Sequence, residues 1–311
     1  MNPETQDDQP EPTGRLQAAV ILNPIKVADV DEFRAKVDAA LSERGFEDTL
    51  WLETTEDDAG YAMAKRAIDE TVALVVVAGG DGTVRVVCAE LARTDIPVAV
   101  LPAGTGNLLA RNLGISLDLD EALSQLLDGS EQRIDSVLVK GDQLGDDRFV
   151  VMAGLGLDAA IIADAPDDLK KRVGWAAYVV STMRNLNHPF VKIEITVDDK
   201  PPITRRARTV VIGNVGTLQA NIPLLPDAKP DDGMIDLVVL APRRISHWPR
   251  LALSLVIKSL NEGRHIQRYT GQRIQIKADR PAGRQLDGDT IENGRILSAE
   301  VDPSALVVRI P

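Results

Sequence analysis

Cysteine is nearly absent from this chain of 311 residues, in which Cys88 stands alone. A single cysteine excludes an intramolecular disulfide framework and is typical of proteins from a reducing cytoplasm. Histidine is also scarce, and His188, His247 and His265 are scattered without the spacing of a zinc site. A mechanism based on histidine, whether as metal ligand or as triad member, is therefore not expected, and Cys88 is best interpreted as a small core residue.

Long apolar runs and excess positive charge are missing too. No run approaches the length needed to span a bilayer. The net charge of −12 argues against a general electrostatic attraction to nucleic acid or to anionic membranes, although residues 243–277 are rich in arginine and lysine. Residues 1–15 are polar and acidic and lack the features of a signal peptide, so we expect a disordered tail. These absences indicate a cytoplasmic protein without a nucleic-acid partner or a transmembrane segment.

What the chain does contain first is an alternation of strands and helices over residues 16–133. Apolar runs at 17–22, 48–52, 74–78 and 97–101 predict strands, and segments with helical spacing lie between and after them. This alternation predicts a mostly parallel sheet covered on both faces. In such sheets ligands bind at the carboxyl ends of the strands, where Asn23, Thr54 and two glycine-rich turns are expected to share one crevice.

From residue 134 onward short β-rich runs dominate, including 134–139, 149–152, 191–197, 203–212, 235–240 and 274–277. They predict an antiparallel β-sandwich with helices inserted near 169–185 and 246–261. The predicted organisation is therefore a tail (1–15), an α/β nucleotide-binding domain (16–133), a β-sandwich domain (134–300) and a final strand (301–311) that could return to the N-terminal domain.

The turn after the third predicted strand carries the most information and consists of Gly79, Gly80, Asp81, Gly82 and Thr83. Glycines let the backbone approach a ligand closely, and consecutive amides in such a turn form a concavity that binds anions. The following helix adds an N-terminus that also favours anions. Because Asp81 supplies a carboxylate for a metal carried by phosphates, the turn predicts a nucleotide-phosphate site with Mg²⁺.

A second turn of this kind follows the next predicted strand and contains Gly104, Thr105, Gly106 and Asn107. Thr105 offers a hydroxyl to a phosphate oxygen, and the two glycines relieve crowding. Asn107 is placed to bond either a neighbouring loop or a substrate hydroxyl. Two such turns separated by one helix and one strand are far more specific than either turn alone.

With these motifs the sequence resembles the diacylglycerol kinase catalytic family, which includes bacterial soluble lipid kinases and the sphingosine and ceramide kinases. The resemblance continues through 133–135 and 230–236 to 286–289, and so spans nearly the whole chain. It implies an N-terminal α/β domain like those of NAD kinase and diacylglycerol kinase, followed by an antiparallel β-sandwich. It also implies transfer of the γ-phosphoryl group of ATP to a lipid hydroxyl.

The resemblance implies ATP contacts at the start of the chain and in both turns, at Asn23, Pro24, Thr55, Gly79, Gly80, Asp81, Gly82, Thr83, Gly104, Thr105, Gly106 and Asn107. Residues 79–85 would hold the phosphates, with Asp81 near Mg²⁺. The family continues Asn-Pro with Ser-Gly, whereas this chain has Ile25, Lys26 and Val27. Thr54 and Thr55 both match a family threonine, and Thr55 is favoured.

Carboxylates in the second half complete the implied site. Asp135 would join a network linked to the active-site Mg²⁺. Asp232 would bind a second, structural Mg²⁺ together with the backbone carbonyls of Lys229 and Met234, which is suitable ligation for a hard cation. The family motif Asp-Gly-Glu occurs here as Asp287, Gly288 and Asp289. Its carboxylates are candidates for the base that accepts the proton of the lipid hydroxyl, and the sequence leaves Asp289 and Asp287 both open.

The leading hypothesis from sequence is an ATP- and Mg²⁺-dependent lipid kinase, most simply one that converts diacylglycerol to phosphatidic acid. The alternatives are an NAD kinase-like enzyme and a catalytically impaired protein that binds nucleotide or lipid. The lipid would be met at the inner face of the membrane, and an apolar segment at 245–260 with basic flanks is either a surface contact or a helix packed on the sandwich. A homo-oligomer is left open.

Overall fold

The computed structural model of this chain describes residues 16–156, 190–218, 222–241 and 266–311. The predicted tail and the two predicted inserted helices, near 169–185 and 246–261, lie outside the described residues. So does the whole apolar segment at 245–260.

The N-terminal half is an α/β layer structure built on four parallel strands, β1 (Ala18–Leu22), β2 (Leu50–Glu53), β3 (Leu74–Gly79) and β4 (Val98–Pro102), in the order β2-β1-β3-β4. The helices among and after them are α1 (Val30–Ser42), α2 (Tyr61–Asp69), α3 (Asp81–Leu91), α4 (Leu108–Asn112) and α5 (Leu119–Asp128). Every residue of β1 and β3 is buried, as expected for strands covered on both faces. Cys88 on α3 is also fully buried, and burial raises the pKa of its thiol.

The second half is antiparallel. Its strands are β5 (Ser130–Gly141), β6 (Leu144–Phe149), β7 (Met152–Leu155), β8 (Val191–Val197), β9 (Ile203–Ala207), β10 (Thr209–Gly213), β11 (Thr217–Leu218), β12 (Ile222–Pro223), β13 (Ile235–Leu240), β14 (Ile266–Gly271), β15 (Arg273–Leu286) and β16 (Asp289–Ile310). A second apolar cluster lies among these strands and includes Phe149, Ile195, Ile212 and Leu286. The predicted fold class, an α/β domain followed by an antiparallel β-sandwich, is confirmed.

The β-rich run at 203–212 forms two strands that part at Arg208. β9 pairs with β8, whereas β10 pairs with β7 and β13, so the chain changes neighbours within one apolar run. The backbone amide of Arg208 donates to the carbonyl of Leu240 at this point. Period-two patterning fixes which face is buried but not which strand is the partner, so the sequence did not reveal this change of neighbours.

The last strand connects the two halves. β16 pairs antiparallel with β15 and β5 and, near its end, parallel with β4 through Val308 and Val98. β5 and β16 each run through a predicted domain boundary, at 133/134 and 300/301 respectively. The hydrogen-bonded sheet therefore continues from the parallel strands into the sandwich, and this fixes the β15–β16 hairpin relative to α3.

Candidate active site

A polar cleft of about 310 Å³ opens at the carboxyl ends of the parallel strands. Chain segments from both halves of the molecule meet there. It is lined by Asn23, Lys26, Ala59, Gly80, Asp81, Gly82, Thr83, Thr105, Gly106, Asp287, Gly288 and Asp289. The expectation that the two glycine-rich turns share one crevice is thus met by the geometry.

The two turns contact each other backbone to backbone. A Cβ atom added to Gly104 would lie 2.7 Å from the Cα atom of Gly80. A Cβ atom on Gly79 would lie 2.7 Å from that of Thr83, whose side chain is buried under the turn. Glycine at 104 is required because a side chain there would separate the two turns, and glycine at 79 leaves room for the Thr83 side chain. The first residues of α3 line the cleft beside them.

The side chain of Asp81 links the two turns. Its Oδ1 atom accepts a hydrogen bond of 2.7 Å from the amide of Leu108, the first residue of α4. Burial raises the pKa of Asp81, and the nearby charge of Asp289 acts in the same direction. The predicted proximity of Asp81 to Mg²⁺ stays a prediction, and the structure adds that one carboxylate oxygen is already occupied by the second turn.

Asn107 closes the second turn on itself. Its Oδ1 accepts from the amide of Gly104 at 2.9 Å, and its Nδ2 donates to the carbonyl of the same residue at 2.7 Å. The backbone of Asn107 has a φ of 48°, a left-handed conformation that asparagine tolerates better than most residues. The sequence left open a bond from Asn107 to a neighbouring loop or to a substrate hydroxyl, and the structure instead shows its side chain bonding its own turn. Thr105 and Gly106 line the cleft.

The first predicted nucleotide loop forms a short 3₁₀ helix, Pro24–Lys26. Asn23 caps it by accepting from the amide of Ile25 at 3.2 Å, while the amide of Asn23 donates to the carbonyl of Ala78 on β3. Asn23 and Lys26 line the cleft, and Pro24 does not. Lys26 was not among the site residues that the sequence predicted, because the family pattern does not extend past Pro24 here.

Thr55 lies apart from the residues that line the cleft. Its Oγ1 accepts from the amide of Asp58 at 3.1 Å, which shapes the turn before α2. Thr54 is buried and its amide donates to the carbonyl of Leu22. The segment between β2 and α2 instead contributes Ala59 to the cleft, so an ATP contact from Thr55 stays a prediction.

Asp287 and Gly288 form the two-residue turn between β15 and β16. Both have positive φ, 46° and 97°, and Leu286 pairs with Asp289 across the turn, as in the type I′ hairpins that Asp-Gly favours. The turn therefore presents two carboxylates in different environments: the Asp287 side chain is directed into the protein, and Asp289 begins the returning strand.

Asp287 is 1% exposed, and in the described part of the chain its carboxylate accepts hydrogen bonds from backbone amides. Val150, Val151 and Met152 donate to its two oxygens at 2.9, 3.0 and 2.7 Å. Burial raises the pKa of Asp287 to about 7, against the opposing effect of these amides and of Arg85. Because its oxygens are occupied, Asp287 anchors the hairpin to the segment before β7, and this geometry favours Asp289 as the base.

Asp289 lies directly over the first turn of α3. A Cβ atom on Gly82 would lie 2.5 Å from Oδ2 of Asp289, so the carboxylate fills the space that glycine leaves. The Asp289 side chain is 50% exposed, and the Arg85 guanidinium contacts its Oδ2 at 3.5 Å. Arg85 also bonds both oxygens of Asp147 on β6, at 2.9 and 3.0 Å, which holds the guanidinium in place. The sequence suggested that Arg85 helps to hold phosphates but gave no sign of Asp147, which lies 62 residues away.

The remaining predicted carboxylates lie together elsewhere. Asp135 is buried and accepts from the amides of Gly233 and Ser304 at 2.7 and 2.8 Å, which fixes the turn before β13. In that turn Asp232 accepts from the amide of Met234 at 3.0 Å, and Lys229 precedes it. None of these residues lines the cleft described above, and their roles in binding Mg²⁺ stay predictions. Within the described residues no group of three or more histidine, cysteine or acidic side chains converges as a metal site.

Comparison with known proteins decides the family. The family model of the diacylglycerol kinase catalytic domain matches residues 17–139, and that of the YegS C-terminal NAD kinase beta sandwich-like domain matches residues 150–310. A protein of Pseudomonas aeruginosa named "Probable lipid kinase YegS-like" is 31% identical over 92% of both chains. The chain belongs to the diacylglycerol kinase catalytic family. The resemblance inferred from the motifs is thus confirmed.

One further relative and two solved structures are similar to this chain in sequence or in fold. The diacylglycerol kinase of Bacillus subtilis is 28% identical over 91% of this chain and 92% of its own. A crystal structure of a diacylglycerol kinase from Bacillus anthracis has the same fold, with a TM-score of 0.73, 24% identity and coverage of 95% and 97% of the two chains. An NAD kinase from Archaeoglobus fulgidus shares the fold more distantly, with a TM-score of 0.53, 14% identity and coverage of 94% and 93%.

The cleft draws on both matched regions of this family. The glycine-rich turns belong to the catalytic-domain match, whereas Asp287 and Asp289 belong to the sandwich match. In the described part of the chain, no helix combines the length and apolarity that crossing a bilayer requires.

Proposed function

We propose that this protein is an ATP-dependent lipid kinase that transfers the γ-phosphoryl group to a lipid hydroxyl, most simply that of diacylglycerol, giving phosphatidic acid. The observation that carries the proposal is the position of Asp289, which lies over the N-terminal turn of α3 although it comes from the other half of the chain. A phosphate-binding surface and a reachable carboxylate therefore meet in one cleft.

The N-terminal turn of α3 is suited to the phosphates of ATP. Its first amides have no partner within the helix and carry the positive end of the helix dipole. Thr105 and Gly106 from the second turn line the opposite wall. Phosphoryl transfer depends mainly on positioning and on stabilising charge, which rigid backbone donors supply without reorganisation.

Asp289 is the side chain that we assign as proton acceptor. It is half-exposed at the cleft, so an acceptor hydroxyl can reach it, whereas the oxygens of Asp287 are covered by three amides. Arg85 keeps the carboxylate oriented toward α3. In this arrangement Asp289 takes the hydroxyl proton as the hydroxyl oxygen bonds to the γ-phosphorus and ADP leaves.

The donor set of the cleft also fits the Mg²⁺ that accompanies ATP. Carboxylates of Asp81 and Asp289 face the same space, and the pKa of Asp81 is raised partly by the charge of Asp289. Hard carboxylate oxygens shared with phosphate oxygens are usual ligands for this ion. When bound, Mg²⁺ would neutralise charge on the phosphoryl oxygens, and Asp81 and Asp289 are the residues placed to hold it.

The test is a transfer assay with labelled ATP, Mg²⁺ and a panel of acceptors comprising diacylglycerol in mixed vesicles, sphingoid bases, undecaprenol and NAD. We expect label in phosphatidic acid. Asp289→Asn should lower kcat by at least about 100-fold, the lower bound for general acid–base catalysis, without loss of folding. Asp199→Asn, on an exposed aspartate in the loop between β8 and β9, is the matched control and should stay active.

Two outcomes would refute the proposal. Label in NADP alone would identify an NAD kinase-like enzyme, and ATP binding without transfer to any acceptor would identify a binding protein. Flotation with vesicles tests whether the protein meets its lipid at a membrane surface. Full activity of Asp289→Asn would instead leave the kinase assignment intact and remove the assigned base.

A further inference from the structure

The charge of the cleft is uneven. Among the described residues that line it, three are aspartates, at positions 81, 287 and 289, and Lys26 is the one cation. Arg85 lies nearby, but its guanidinium is paired with Asp147 and Asp289. A nucleotide carrying several negative charges would meet the carboxylates of Asp81 and Asp289 here, so a cation from the protein would add to the neutralisation that Mg²⁺ supplies when bound.

Lys26 is placed to supply that charge. It ends the 3₁₀ helix Pro24–Lys26, whose position is fixed by the cap of Asn23 and by the bond from the Asn23 amide to Ala78 of β3. The side chain extends over the first turn: the Cε atom of Lys26 lies 3.8 Å from the place that a Cβ atom of Gly80 would take. Its ammonium group is thus carried to the edge of the amides that begin α3.

The ammonium group of Lys26 is also available. Within the described part of the chain no carboxylate lies within ion-pair distance of it, whereas Lys36 and Lys140 each pair with an aspartate. Lys26 is exposed, so its side chain is accessible to a ligand from the solvent. The glycine at position 80 leaves the space between the ammonium group and the turn open for a phosphate.

We propose that Lys26 binds the polyphosphate of the nucleotide, neutralising the terminal phosphates beside the amides that begin α3. This inference rests on the proposed function and names a residue for its nucleotide half. It also gives a role to the sequence Ile25-Lys26-Val27, which stands where the resemblance had implied Ser-Gly. A compact ammonium on a flexible stem can follow the phosphates, while the rigid turn holds the nucleotide in register.

The inference is tested by calorimetric titration of wild type, Lys26→Gln, Lys26→Arg and Lys65→Gln with ATP, ADP, AMP and adenosine in the presence of Mg²⁺. Lys65 is an exposed lysine on α2 outside the lining of the cleft, and its variant is the matched control. Loss of one hydrogen bond to a charged group predicts that Lys26→Gln binds ATP about 10- to 100-fold more weakly. The effect should decrease from ATP to AMP, vanish for adenosine and shrink at high salt, and arginine should restore most of the affinity.

The outcomes separate this inference from the proposed function. Equal ATP affinity of wild type and Lys26→Gln overturns the role of Lys26 and leaves the kinase assignment standing. A uniform loss across ATP and adenosine, or a matching loss in Lys65→Gln, also contradicts it, because neither would reflect a phosphate contact. A wild-type protein that binds no ATP overturns the proposed function, and with it the inference.

Discussion

The contact between Gly82 and Asp289 gives the sharpest test of the candidate active site. In Gly82→Ala the new Cβ atom would lie 2.5 Å from Oδ2 and 2.9 Å from Oδ1 of Asp289. Ordinary carbon–oxygen contacts are roughly 1 Å longer, and the backbone of α3 is held by its own hydrogen bonds. The half-exposed carboxylate is therefore the group that moves, by about 1 Å.

Two effects of opposite sign follow for this variant. A displacement of about 1 Å at a reacting group costs up to about 100-fold in rate, so kcat should fall by that order while affinity for ATP changes little. Folding should not suffer, because alanine in a helix is favoured over glycine by about 0.5–1 kcal/mol and the contacted group can swing into solvent. The expected variant is thus as stable as wild type or slightly more stable, and slow.

The assay combines urea denaturation, ATP titration and turnover with the acceptor found in the panel. Gly145→Ala is the matched control, since a Cβ atom there meets nothing within 4 Å. A double-mutant cycle with Asp289→Asn locates the effect: if alanine at 82 acts through the carboxylate, it adds almost nothing in the Asp289→Asn background. Fully additive losses, or a loss of ATP affinity equal to the loss of rate, would refute the argument.

Three further predictions follow from the same contacts. Gly104→Ala places a Cβ atom 2.7 Å from the Cα atom of Gly80. Because neither backbone can move without strain, we expect the free energy of unfolding to fall by about 1–3 kcal/mol and ATP to bind more weakly. Unchanged melting and titration curves would contradict this. Burial raises the pKa of Asp287 from 3.8 to about 7. Between these pH values the folded chain holds a proton on Asp287 that the unfolded chain has released. The free energy of unfolding therefore falls as pH rises through that window, by up to about 4 kcal/mol. In Asp287→Asn the free energy of unfolding should no longer fall between pH 4.5 and 7.5, as measured by denaturation at both pH values. Parallel pH profiles of the variant and the wild type would contradict this prediction. Arg85→Gln frees Asp289 from its ion pair, so kcat should drop by about 10-fold with little change in KM for ATP, and a change confined to KM would exclude an orienting role.

Local features of the sequence were sufficient to predict the turns that surround the cleft. Gly104 occurs where its backbone lies against that of Gly80, and Gly79 occurs where the Thr83 side chain packs beneath the turn, so a Cβ atom at either position would be too close to its neighbour. The Asp-Gly pair at 287 and 288 likewise codes for a tight hairpin turn by its preference for positive φ. These predictions succeed because steric requirements act over a few residues and leave a signature in composition.

Roles that depend on partners far along the chain were harder to predict. Asp81, Asp135 and Asp287 carry oxygens that bond backbone amides of distant segments, and no local pattern reveals those donors. Lys26 was passed over for the same reason, because its nearness to Gly80 arises from the pairing of β1 with β3. The sequence alone therefore does not distinguish an aspartate that anchors the backbone from one that can react. The tertiary structure makes that distinction.

The sequence by itself determined the fold class, the family and the two glycine-rich turns, because periodicity, turn chemistry and motif spacing are properties of neighbouring residues. The tertiary structure alone decided which carboxylate faces α3. β16 links the sandwich to β4, and through this pairing the hairpin brings Asp289 over Gly82 while Asp287 is directed into the protein. The physical reason is that chain segments more than 60 residues away set the environment of each carboxylate. Asp287 is buried under three amides, whereas Asp289 is half-exposed beside an arginine.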